Sequence, residues 1–207
     1  MLVTEQLACM KGERILFRGL SFTLEHGQLL QVKGYNGIGK TSLLRILCGL
    51  TLPDHGTVSW RGENIRHSDR FSRELLYCGH SASLNELLTP LENLRFLCHI
   101  HGDHFADEQY IRALENMGLT QQIHLPVRVL SQGQRRRTGL ARLLLASAHP
   151  LWILDEPFTA LDQSITATLA HMVSAHCRQG GSAVFTSHQD VDFAVPPDIL
   201  DMNQFAV

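Results

Sequence analysis

"GYNGIGKT", residues 34–41, matches the spacing G-x-x-x-x-G-K-[ST] through Gly34, Gly39, Lys40 and Thr41. The apolar run "QLLQVK" (28–33) precedes it. After it, "SLLRILCGL" (42–50) sets Leu43, Leu44, Ile46, Leu47 and Leu50 on one helical stripe, with Gly49 as a helix stop. Strand, glycine loop and helix in that order are the context in which backbone N–H groups turn inward onto phosphate oxygens, helped by the positive end of the helix dipole. Gly34, Tyr35, Asn36, Gly37, Ile38, Gly39, Lys40, Thr41 and Ser42 are therefore candidate nucleotide-binding residues. Lys40 is expected to reach the β- and γ-phosphates, and Thr41 to ligate Mg²⁺.

A second stretch answers the first. "LWILDEPFTALD" (151–162) runs four apolar residues into adjacent acids. "LWIL" reads as a buried strand, and a place beside the strand that feeds the loop would let Asp155 hold the metal on the phosphates. Glu156, one residue on, points differently and is the candidate to orient or deprotonate a water. Upstream, "LSQGQ" (130–134) offers Ser131 as an N-cap and Gly133 among free backbone N–H groups, a second anion-binding helix start. That helix is expected to run on to the residue before Pro150.

The remaining segments build an α/β fold. "LVTEQL", "RILFRGLSFTL" and "QLLQVKG" read as strands, "PDHG" (53–56) as a turn, "TVSWRGENI" as a hairpin and "ELLYCGH" as a strand. From about 81 to 128, "PLENLRFLCHI" and "DEQYIRALENMGL" have helical period, with Pro90 at a first turn. Residues 163–179 form a further helix and "SAVFTSH" a further strand, so the sheet should be largely parallel. The 207 residues, 44% hydrophobic, fit one domain with an inserted subdomain. A net charge of −2 gives no overall attraction to nucleic acid or anionic lipid. Five scattered cysteines suit a reducing, cytosolic compartment. The start lacks the basic and apolar regions of a signal peptide, and no uncharged apolar run is long enough to span a membrane.

The order of these motifs resembles the ATP-binding cassette superfamily over essentially the whole chain. The resemblance implies a P-loop NTPase with a RecA-like core, an N-terminal antiparallel β subdomain and a helical insert: residues 1–80 and 129–207 as core, about 81–128 as helical subdomain. It makes 34–41 the Walker A loop and 151–156 the Walker B strand with Glu156 catalytic. Asp162 in "ALD" falls in the D-loop, and His188 in "TSH" is the switch histidine, also catalytic. It makes Ser131, Gln132, Gly133 and Gln134 the signature that contacts ATP held by a second copy of the chain. His80 stands where the family usually has glutamine. The adenine-stacking aromatic is missing from "CMKGERILF", where Lys11 and Arg14 stand instead.

"QRRR" (134–137) reads as a charged first helical turn with one arginine facing nucleotide or a membrane partner, and no nucleic acid is expected. His99, His101 and His104 in "HIHGDH" fit no closed metal site. Within the superfamily the chain is similar to the ATP-binding subunits of haem exporters in bacterial cytochrome c maturation. That likeness implies ATP and Mg²⁺, integral membrane partners of CcmB type with CcmC and CcmD types, and a peripheral place on the cytoplasmic side of the inner membrane. The alternatives are the ATPase of another exporter, for lipid, drug or other small molecule, and a soluble cassette acting as a mechanical switch.

Overall fold

Two sheets carry the fold in a computed structural model that describes residues 1–81 and 83–206. The first is antiparallel: β1 (Leu2–Lys11), β2 (Arg14–Leu24), β4 (His55–Trp60) and the short β5 (Glu63–Asn64), in the order β2-β1-β4-β5. β1 runs on to Lys11, past the expected end at Leu7. Gln6, at φ 49°, interrupts its pairing, and the register with β2 slips between Thr4 and Leu7. Such a bulge twists a strand without ending it.

The second sheet is wholly parallel. It contains β3 (Leu29–Lys33), β6 (Leu75–Cys78), β7 (Leu151–Leu154), β8 (Ser182–Thr186) and β9 (Asp198–Asp201), in the order β6-β7-β8-β3-β9. The expectation that the strand bearing the acids lies beside the loop-feeding strand is corrected here. The chain leaves β3, crosses to β6 at the far edge, adds β7 and then returns with β8 to fill the gap beside β3. β8 therefore separates the acids' strand from the loop's strand.

Helices cover this sheet. α1 (Lys40–Leu47) starts at the glycine loop, and α2 (Asp69–Glu74), whose start is capped by Ser68, was not legible in so short a segment. Within 81–128, where Ala82 lies outside the described residues, sit α3 (Pro90–Ile100) and α4 (Asp107–Asn116). Thr89 and Glu92 form a capping box at the start of α3, and Pro90 occupies its first turn. α5 (Gln132–Leu140) is shorter than expected and tightens into a 3₁₀ turn over Ala141–Leu145. The Thr138 hydroxyl donates back to the Gln134 carbonyl (2.9 Å), and Gly139 follows, a pairing that weakens a regular helix. α6 (Gln163–Arg178) leads into β8.

β7 shows how the layers meet. All four of its residues are buried, Leu151 and Ile153 with Phe17, Leu43 and Trp60, and Trp152 and Leu154 with Tyr110, Phe158 and Leu169. One face thus packs against α1 and the antiparallel sheet, the other against α6 and the helices α3 and α4. Burial of each large side chain contributes roughly 1.5–3 kcal/mol. Among the described residues no helix is long and apolar enough to cross a membrane.

Candidate functional site

Gly39 is the N-cap of α1, at φ 109° and without a side-chain cap, so the first N–H groups of the helix are left for another acceptor. A residue with a Cβ would be strained there and would press on Leu16. Lys40 folds back along the loop, donating to the carbonyls of Gly34 (2.7 Å) and Tyr35 (3.3 Å). Burial lowers the pKa of its ammonium, and Glu156 and Asp155 oppose the shift. A cavity of about 380 Å³ opens over this loop. Asn36, Gly37, Gly39, Lys40, Thr41 and Ser42 line one side; His80, Glu156 and His188 line the other, with Lys11 and Leu16 completing the wall.

The acids meet this cavity at different depths. Asp155 is 1% exposed; its N–H donates to the Cys78 carbonyl (2.8 Å), and its Oδ1 accepts from the Thr186 hydroxyl (2.9 Å). Its Oδ2 is buried and has no partner among the described residues. An orphaned carboxylate oxygen costs stability unless a cation or donor meets it, so the residues fit a divalent ion held there and by Thr41. Glu156 takes φ 51°, unusual for a residue with a side chain. Its N–H donates to the same Thr186 hydroxyl (2.8 Å), and its Oε1 lies 3.3 Å from His188 Nε2. One hydroxyl of β8 thus bridges both acids, which is how the intervening strand joins the site.

Other expected residues sit elsewhere. Ile38 is wholly buried in the core, so its side chain cannot touch a ligand, and Tyr35 is half-exposed outside the cavity wall. The loop's spacing concealed both facts, because in it only the backbone needs to face phosphate. Lys11 lines the cavity and Arg14 does not. Ser131 caps α5 in a reciprocal box with Gln134 (3.2 and 2.9 Å), and Gln132 lines a separate cavity of about 340 Å³. Gly133 lies against the Ala160 carbonyl, which a Cβ would approach to 2.7 Å. None of these four lines the Lys40 cavity. Asp162 caps α6, accepting from the Ile165 N–H (3.0 Å).

The three arginines of "QRRR" all make hydrogen bonds within the chain. Arg135 pairs with Glu86 (2.9 Å), and Arg137 donates to the carbonyls of Met117 and Gly118. Arg136 is 8% exposed and donates to the carbonyls of Gly79, His80, Asp155 and Glu156. Thr186 and Arg136 were both missed; the available signal was a threonine ending the "SAVFT" strand and an arginine one turn into the helix after "LSQGQ". The rings of His99 and His104 lie 4.5 Å apart, and among the described residues no three His, Cys, Asp or Glu side chains are placed to hold a metal.

Comparison with known proteins agrees with this geometry. The ABC transporter family matches residues 17–159. A protein of Aromatoleum aromaticum named cytochrome c biogenesis ATP-binding export protein CcmA is 54% identical over 207 residues, 100% of this chain and 97% of that one. A protein of the same name from Dechloromonas aromatica is 48% identical, over 93% and 94% of the two chains. Among solved structures, a putative ABC transporter ATP-binding protein from Pyrococcus furiosus superposes with a TM-score of 0.85 at 19% identity, over 100% of this chain and 99% of that one. An ATP-binding cassette solved as a dimer in a post-hydrolysis state with ADP and Pi gives 0.77 at 21%, over 91% and 88%. At such identities the two structures speak for the fold alone.

Proposed function

Because the chain belongs to the ABC transporter family, we propose that it is the ATP-hydrolysing subunit of a membrane export complex in cytochrome c biogenesis, with haem as the species moved or released. The observation that carries the ATPase reading is the single cavity that faces Glu156 and His188 toward Lys40, with Asp155 buried behind them. The cytochrome c role rests on relatives of that name, which align with nearly the whole chain.

In this reading the N–H groups of the loop and of the α1 start hold the β- and γ-phosphates, and Lys40 leaves its carbonyl partners to neutralise them. Mg²⁺, held by Thr41 and Asp155, would supply further charge neutralisation of the phosphates when bound. Glu156 orients the attacking water and accepts its proton, while His188, 3.3 Å from the Glu156 carboxylate, senses the γ-phosphate. His80 lines the same cavity, where an imidazole nitrogen can accept from water around the metal. Ser131, Gln132, Gly133 and Gln134 lie away from the Lys40 cavity, which favours a role on ATP bound by a second copy, with Asp162 at the seam. Residues 1–80 and 129–207 act as the cassette core. Residues 81–128 act as the arm that engages membrane subunits of CcmB type, with CcmC and CcmD types, on the cytoplasmic side of the inner membrane.

The test is Glu156→Gln. It should keep ATP binding, lower turnover by about 10²–10⁴-fold and favour a stable ATP-bound dimer. Parental turnover would show that Glu156 is not the base. Lys40→Ala should instead weaken ATP binding, and unchanged affinity would remove Lys40 from the cradle. Copurification from detergent extracts addresses the cargo: haem-handling membrane subunits support the export role, and a sugar or lipid permease replaces it while leaving the ATPase reading intact.

A further inference from the structure

Arg136 is a buried cation whose hydrogen-bond partners are all backbone carbonyls. Nη1 donates to Gly79 O (2.7 Å) and His80 O (3.0 Å), and Nη2 donates to Asp155 O (2.7 Å) and Glu156 O (2.8 Å). Four short contacts to two neighbouring strand ends follow from the topology. β6 and β7 are adjacent and parallel, so their C-terminal carbonyls converge on one spot, and a planar fork of donors matches them as an ammonium does not. Because the partners are carbonyls, the guanidinium does not occupy the carboxylates of Asp155 and Glu156.

The contact has a mechanical sense. Glu156 is held at φ 51°, with its N–H fixed by Thr186 and its carbonyl by Arg136. A residue in that region stays there only when its surroundings over-determine it. The same guanidinium reaches back to His80 and is itself carried on α5, whose first turn is Ser131 to Gln134. Two cavities, of about 340 and 140 Å³, are lined in part by Arg136.

We infer that Arg136 is a positioning residue for hydrolysis: its guanidinium keeps Glu156 aimed into the Lys40 cavity and ties that glutamate, the His80 segment and the start of α5 into one body. This rests on the ATPase reading of the site. Arg136 lines none of the nucleotide cavity, so its loss should act on turnover and not on binding.

The experiment compares the full parental chain with Arg136→Ala and Arg136→Lys, measuring ATP affinity and turnover with and without added guanidinium chloride well below denaturing concentrations. Arg136→Ala should keep its ATP Kd within about twofold while kcat falls on the order of a hundredfold, the scale of a misplaced catalytic group. Guanidinium, entering through these cavities, should restore part of that loss in Arg136→Ala and leave both the parental chain and Glu156→Gln unimproved. Arg136→Lys should keep ATP affinity and recover little turnover, because one ammonium cannot span four carbonyls. Parental kcat in either variant overturns the proposal. So does a loss of ATP affinity in step with kcat and without guanidinium rescue, which would mark a purely structural role. If Arg136→Ala fails to fold, the Arg136→Lys split between Kd and kcat decides alone. Failure of the parental chain itself to bind and turn over ATP would instead sink the ATPase reading, so the two failures are distinct.

Discussion

Thr186 is wholly buried at the end of β8, and its one hydroxyl has two jobs: it accepts from the Glu156 N–H and donates to Asp155 Oδ1. Thr186→Val keeps the shape and removes both bonds, leaving a buried N–H and a carboxylate oxygen unmet. We expect a loss of about 1–3 kcal/mol in denaturant unfolding, with turnover falling by tenfold or more as the acids lose their shared anchor. Thr186→Ser should keep most of the activity; parental turnover in Thr186→Val would show that the bridge is dispensable. Lys40, Asp155 and Glu156 were legible because their chemistry lies in local spacing, readable within a dozen residues. Thr186 and Arg136 were not, since the partners of Thr186 are 30 and 31 residues away, those of Arg136 are 19, 20, 56 and 57 residues away, and only the sheet brings them together. The side chain of Ile38 was not legible for a related reason: the motif fixes where the backbone turns, while the core decides where that side chain goes.

At the scale of elements, the start of α5 is fixed from two sides. Ser131 and Gln134 satisfy each other's backbone N–H groups, and Gly133 packs against the carbonyl of Ala160, itself at φ 62° in the segment before α6. Gly133→Ala puts a methyl group on a backbone oxygen that no rotamer can move. α5 or the 157–161 segment must therefore shift, at a cost of about 1–3 kcal/mol in thermal or chemical unfolding. Ser131→Ala loses only the cap, about 1 kcal/mol, and leaves the packing alone. A Gly133→Ala chain as stable as Ser131→Ala would mean that the close approach is easily relieved. Helix starts of this kind are visible in sequence because caps are local. Strand order is not: apolar runs announced β3, β7 and β8, but the place of β8 between the other two depends on how the crossovers cover both faces of the sheet. β9, entered from a proline-rich turn, carried too short a pattern to be seen.

For the whole molecule, the core between the parallel sheet and α6 holds titratable rings that bear on global stability. His176, in the last turn of α6, stacks on Trp152 of β7 with ring centroids 3.8 Å apart and planes within 6°. Burial drives its imidazole down to about 4, a shift that backbone groups of Ser182 and Pro150 offset only in part and that His149 reinforces. His149 and His101 are lowered too, each mainly by burial, with Arg142 adding to the shift and Asp103 opposing it. The sign follows from proton counting. Above about pH 6.5 these rings are neutral in both folded and unfolded chains, and stability is at its full value. Between about 6.5 and 4 the unfolded chain takes up protons that the folded His176 refuses, so unfolding becomes easier as pH falls. For His176 alone the loss should reach about 2–3 kcal/mol at the acid end. Unfolding midpoints in urea should therefore hold steady from pH 8 to 7 and then drop toward pH 4.5. His176→Phe, which keeps a flat ring against Trp152 and cannot titrate, should flatten much of that slope, with the remainder belonging to His149 and His101. If the variant shows the parental pH profile, His176 does not titrate with unfolding, and the slope must be sought in the carboxylates.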